Sequence, residues 1–95
     1  MIPISQIAYC KADGNYCQIY TNENEKIVLS RTLKKVEQEI AHPKFLRIHQ
    51  SYLVNTEYIK RLDKKAIWNV VLENNVILPI SRSFDVGGIL YKSSF

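Results

Sequence analysis

The chain has 95 residues, 46% hydrophobic and 23% charged, which fits one ordinary soluble globular domain and excludes a disordered tail or two cores. Thirteen Lys and Arg against nine Asp and Glu leave a net charge of +4, which permits a polyanionic partner without demanding one. Two cysteines exclude a disulfide scaffold, and the longest apolar runs, such as Val76–Ile80, are far short of a membrane span.

Gln6–Ala12 and Asn15–Tyr20 read as short strands on either side of Asp13-Gly14, a strong hairpin turn signal. In the second strand Cys17 and Ile19 share one face, while Tyr16, Gln18 and Tyr20 share the other. Thr21–Glu25 reads as a polar turn, and Lys26–Ser30 as a third strand with Ile27 and Leu29 on one face. The period then changes. Leu33, Val36 and Ile40 recur at helical spacing opposite Lys34, Lys35, Gln38 and Glu39, which predicts an amphipathic helix over about 32–41. Thr32 suits its N-cap, and Pro43 stops it because the residue before a proline avoids helical backbone angles.

Phe45–Ile48 and Ser51–Asn55 read as strand and turn. Tyr58–Leu62 and Ala66–Leu72 read as two strands joined at Asp63-Lys64-Lys65, with Trp68 alternating with Val70 and Leu72 on a core face. Asn74-Asn75 is a two-residue turn into a strand over Val76–Ile80. Ser83 is the expected cap of a short last helix through Tyr91, weakened by Gly87-Gly88. Strands joined by tight turns pair antiparallel, so the expected fold is mostly β: small antiparallel sheets, one amphipathic helix and a short C-terminal helix.

Catalytic and metal chemistry find little support. Cys10 and Cys17 are separated by six residues, as are His42 and His49, whereas zinc ligand pairs are typically two to four apart. Cys17 lies beside Ile19 on an apolar face, where a thiol packs as a small hydrophobe. No glycine-rich oxyanion loop, P-loop or GxGxxG motif is present. The expectation is no enzyme, no metal and no cofactor. His42, at a helix end, is placed to interact with the helix dipole, and His49 to tie down a turn by hydrogen bonding.

Three blocks occur in order: Tyr9-Cys10-Lys11-Ala12-Asp13-Gly14-Asn15-Tyr16-Cys17; Ser30-Arg31-Thr32-Leu33-Lys34-Lys35-Val36-Glu37 followed by Phe45-Leu46-Arg47-Ile48-His49-Gln50-Ser51-Tyr52-Leu53-Val54-Asn55; and Leu78-Pro79-Ile80-Ser81-Arg82. Together they closely resemble the LytTR family of response-regulator DNA-binding domains, with spacing and order agreeing over roughly residues 5 to 90. Gln50 departs from the arginine common in the family. The family also usually has a strand before the segment that begins at Ile2, which leaves open a single domain over 1–95 that lacks its first strand and an N-terminal regulatory domain.

The resemblance implies a small β fold that presents loops, not a recognition helix, to the major groove of double-stranded DNA. Residue by residue it implies base reading by Asn15, Tyr16, His49, Gln50 and Arg82, and phosphate binding by Lys11, Arg31, Arg47 and Ser81. Those residue types suit such roles, since arginine can donate two hydrogen bonds to guanine, and asparagine or glutamine can bond adenine bidentately. Lys34, Lys35, Lys60, Lys64 and Lys65 are further basic candidates for phosphate, with a plain solvated face as the alternative. Other structural readings stand beside these: an Arg82 salt bridge to Asp85 or Glu73, Asn15 stabilising its own turn, and Tyr16 packing on the sheet. The implied function is sequence-specific transcription regulation at imperfect direct repeats with a second copy on the DNA. A receiver domain or sensor kinase system in a longer protein is the implied control, the cytoplasm the compartment, and no membrane the expectation. A protein-interaction or dimerisation module of the same fold, and an RNA or single-strand binder using the six tyrosines, remain open alternatives.

Overall fold

A computed structural model of the protein describes residues 2–92. The first hairpin joins β1 (Ile7–Asp13) to β2 (Tyr16–Thr21), with Asp13 opposite Tyr16, so Gly14-Asn15 is the two-residue loop. The turn lies one residue later than Asp13-Gly14. Gly14 takes a φ of +60°, which costs glycine little, and that fixes it as the first loop position. Asp13 is left as a strand residue whose carboxylate accepts from Gln18 Nε2 at 3.0 Å. β3 (Lys26–Leu29) pairs with β2 on one side, and β5 (Tyr52–Asn55) pairs with β1 on the other. With β4 (Phe45–His49) outside β5, these strands form an antiparallel sheet in the order β3-β2-β1-β5-β4.

β1 begins with four buried residues in a row. A strand covered on both faces buries successive residues, but here two neighbours, Ala8 and Tyr9, share one face, and the register shows why. Ile7 lies opposite Thr21 and Tyr9 opposite Tyr20, which leaves Ala8 as the extra residue of a β-bulge. Ile7 and Cys10 therefore pack on one side of the sheet with Cys17, Ile19, Leu53 and Phe45. Ala8 and Tyr9 pack on the other.

The first side is covered by α1 (Leu33–Ile40), which buries Leu33 and Val36. Thr32 caps it as expected, its side chain accepting from the Lys35 N–H at 3.2 Å. The helix ends because Ala41 turns into the left-handed region, φ +43°, where its own N–H still bonds Glu37 O at 3.0 Å. Left-handed backbone costs a residue with a Cβ roughly 1–2 kcal/mol, and glycine escapes that cost. Ala41→Gly is therefore expected to stabilise the domain by about 0.5–1 kcal/mol, read as a rise of several degrees in Tm; an unchanged or lower Tm counts against it.

The second side is covered by a three-stranded antiparallel sheet, β6 (Ile59–Lys64), β7 (Trp68–Leu72) and β8 (Ile77–Pro79), in that order. Ile59, Val70, Leu72, Leu78 and Ile80 meet Ile48 and Val54 there, together with Ile89 from α2 (Gly87–Lys92). Burying one such side chain is worth about 1.5–3 kcal/mol, while a small domain's net stability is about 5–15 kcal/mol, so neither layer is dispensable.

Several boundaries move from their expected places. The β6–β7 turn is Lys65-Ala66-Ile67, closed by Lys65 N–H to Ile67 O at 3.0 Å, because Asp63 and Lys64 still pair with Asn69 and Trp68. Ladder hydrogen bonds do not require apolar side chains, so the hairpin runs past its apolar part. This carries Trp68 beyond the core: it shares a face with the buried Val70 and Leu72 yet is 37% exposed. The short last helix begins at Gly87, whose N–H is accepted by Asp85 Oδ1 at 2.9 Å. Ser83 does not cap it, because its hydroxyl bonds that of Ser81 at 2.9 Å inside a turn closed by Phe84 N–H to Ser81 O. Asn75 takes the positive φ expected of the β7–β8 turn, at +68°.

Candidate nucleic-acid interface

Each hairpin ends in a turn, and the sheets bring three chain segments together at one end. The Ala12 N–H donates to Ser51 O at 2.9 Å, which ties the β1–β2 hairpin to the β4–β5 turn. From the other side the Ser81 N–H donates to Ile48 O at 2.8 Å, which ties the segment after β8 to the end of β4, next to that turn. Gly14–Tyr16, His49–Ser51 and Ser81–Ser83 thus stand in a row.

The side chains on this row differ in freedom. Asn15, Gln50 and Arg82 are exposed and Tyr16 is 51% exposed; among the described residues the Asn15, Gln50 and Arg82 side chains have no hydrogen-bond partner. Arg82 forms no ion pair with Asp85 or Glu73, and the Asp85 carboxylate is occupied by the Gly87 N–H. His49 is half-buried and does tie down its turn: Nδ1 accepts from the Ser51 N–H at 3.0 Å. In the neutral ring the proton is then on Nε2, which remains a donor. Ser81 is held by Ser83, whose N–H donates to its Oγ at 3.3 Å.

Arg47 is engaged inside the protein. Its Nε donates to His49 O at 3.1 Å, Nη2 to Gln50 O at 2.6 Å, and Nη1 pairs with Glu37 of α1 at 3.0 Å. Three donors spent on protein acceptors make it a positioning residue that joins the helix to the turn. Arg31 is not brought to the row; it pairs with Glu39 at the far end of α1, and that hydrogen bond holds its ionisation up. Lys11 is exposed on β1 opposite Gln18, two positions before the hairpin's last strand residue. His42, just past the helix, bonds locally, its Nδ1 accepting from the Lys44 N–H at 3.1 Å.

Behind the row lies an aromatic ladder that alternation alone does not reveal. Tyr20 stacks on Tyr9 at 4.6 Å, Tyr9 meets Tyr52 at 6.5 Å, and Tyr52 meets His49 at 5.6 Å. Burial among these rings pushes the Tyr9 phenol up to about 12. Sequence reasoning also misses the groove between Lys64, Trp68, Ser81 and Arg82; paired lysines at a hairpin tip beside a tryptophan are the available signal. Cys10 and Cys17 are both buried, and donating to Cys17 from a buried position pushes the Cys10 thiol up. Among the described residues no three His, Cys, Asp or Glu side chains gather as a metal site, and no helix is long and apolar enough to cross a membrane.

The sequence pattern of the LytTr DNA-binding domain matches residues 1–85. The chain belongs to the LytTr DNA-binding domain family. A solved LytTr DNA-binding domain from Bacillus cereus shares its fold, with a TM-score of 0.78 at 24% identity over 87% of this chain and 77% of that one. The sensory transduction protein LytT of Bacillus subtilis (strain 168) is 27% identical over 86 residues, covering 88% of this chain and 35% of LytT. The transcriptional regulatory protein LytR of Staphylococcus aureus (strain N315) is 33% identical over 63 residues, 64% of this chain and 26% of LytR. The LytTr domain thus spans about a third or less of the length of these curated relatives. It is a DNA-binding domain of transcription regulation and not an enzyme.

Proposed function

We propose that the domain reads duplex DNA through its three turns, which enter the major groove together at sites built as imperfect direct repeats. The observation that carries this reading is the pair of backbone hydrogen bonds, Ala12 to Ser51 and Ser81 to Ile48, that locks the three turns into one row. Asn15, Tyr16, His49, Gln50 and Arg82 then face base edges, and Lys11 and Ser81 face phosphate, with Arg47 holding the middle turn in place. Prearranged donors lose little freedom on binding, which favours specific contacts.

The domain measures 32 × 24 × 22 Å, close to one helical turn of DNA at about 34 Å. One copy therefore reaches a single half-site, and a second copy on the next turn supplies the rest. Control by a receiver domain or sensor kinase in a longer cytoplasmic protein belongs to the same proposal.

Selection of binding sites from random duplex DNA tests it: enriched sequences should carry two similarly oriented half-sites in helical phase. A single short motif with no phased second copy would overturn the paired mode. With three to five phosphates neutralised, log K should fall against log salt with a slope of about −3 to −4.5. A slope near zero in a salt titration rules out duplex binding.

A further inference from the structure

We propose that the β6–β7 hairpin is a fourth DNA-contacting element, in which Lys64 and Lys65 bind phosphates and the Trp68 ring packs on a deoxyribose beside the base faced by Arg82. This rests on the groove-reading function above and extends it to the backbone that flanks the reading row.

Trp68 is the starting point. Large aromatic side chains dominate cores and interfaces, and this one leaves the core at the end of its hairpin, 37% exposed. Its surroundings are cationic. Lys64 Nζ lies 5.6 Å from the ring centroid, over one face of the indole, and Lys65 is exposed at the adjoining turn. Between positions 60 and 65 there are four cations, Lys60, Arg61, Lys64 and Lys65, against Asp63 alone. The first three lie on β6, an edge strand of the three-stranded sheet, and Lys65 begins the turn that follows it.

The hairpin is also fixed relative to the reading row. Ile80 N–H donates to Trp68 O at 2.9 Å, so the strand bearing Trp68 is bonded to the segment that leads into Ser81 and Arg82. A single groove runs between Lys64, Trp68, Ser81 and Arg82. A strand of duplex DNA offers this surface what it lacks: phosphate charge for the ammonium groups and an apolar sugar face for the ring. Lys64 already covers one face of the indole, which suits packing on a sugar edge better than insertion between bases. Charge complementarity and continuity with Arg82 select the same duplex as occupant.

Trp68 is the sole tryptophan, so its fluorescence reports on this hairpin alone. The domain is titrated with the selected duplex and with random duplex at low salt, and acrylamide quenching is measured free and bound. Shielding of Trp68 is expected on both duplexes. The variant Lys64→Gln/Lys65→Gln is expected to bind both duplexes more weakly, with a salt slope smaller in magnitude by about 1.8, and to keep its melting temperature. Quenching unchanged at saturating duplex overturns the proposal, and so does an unchanged slope in the double variant. Complete absence of duplex binding by the parent domain in a gel shift is a different result: it removes the groove-reading function itself, and the hairpin's role with it.

Discussion

Arg82→Ala is expected to weaken binding to the selected duplex by roughly 5- to 150-fold, the 1–3 kcal/mol of a bidentate arginine–guanine contact. The guanidinium is exposed, has no ion pair among the described residues, and follows a segment bonded at Ser81 to Ile48. A planar fork on a fixed platform can be aimed at one base. On random duplex the loss should be much smaller, because there only a general attraction to phosphate disappears. Melting temperature should hardly move, since exposed substitutions away from special features stay within about 0.5 kcal/mol. Arg82→Lys keeps the charge and loses the fork, so it should lose most of the cognate preference. Equal losses on cognate and random DNA, or a lowered melting temperature with preference intact, would remove Arg82 as a base reader.

Arg47→Met is expected to fail differently. It strips two carbonyls, His49 O and Gln50 O, of their donor and leaves Glu37 without its partner. Hydrogen bonds from charged groups are worth about 1.5–3 kcal/mol each, but the Arg47 side chain is 29% exposed and water recovers part of the loss. A destabilisation of about 1–3 kcal/mol follows, or roughly 5–20 °C in Tm. Cognate affinity should fall well below the parent's at temperatures where the variant is fully folded, because the middle turn loses its brace. Arg47→Lys should not rescue it, as one ammonium cannot reach three divergent acceptors. Glu37→Gln, which removes only a partly exposed ion pair, should cost at most about 1 kcal/mol. A folded Arg47→Met domain with parental affinity would show that the turn does not need its brace.

Arg47 also marks a limit of sequence reading. Gly14, Thr32 and Asn75 are legible because a positive φ or an orphan helix N–H is a local demand that few residue types meet. The helix and the antiparallel strands follow from periodicity, which is equally local. Arg47 is legible as a cation but not as a brace, because its acceptors lie on Glu37, ten positions away, and on carbonyls exposed only by the turn's shape. Arg31, in the same kind of motif, is drawn instead to Glu39. Trp68 escapes a sequence reading for a related reason: alternation states which face a residue occupies and is silent on where the opposing layer stops. The turns of the candidate site are readable one by one, whereas the hydrogen bonds that align them join residues more than thirty positions apart.

The bulge at Ala8 has a bearing on how the length of this chain can vary. In an ordinary strand, losing one residue swaps every side chain on one flank of the gap to the opposite face. Here Ile7 already faces Thr21 and Tyr9 already faces Tyr20, so Ala8 alone is supernumerary. Its deletion would convert the bulge into a regular ladder, with Ile7 and Cys10 still towards α1 and Tyr9 still towards the three-stranded sheet. The bulge thus makes β1 a place where the chain can lose a residue at the cost of one small side chain, upstream of the Gly14–Tyr16 turn and without shifting its register.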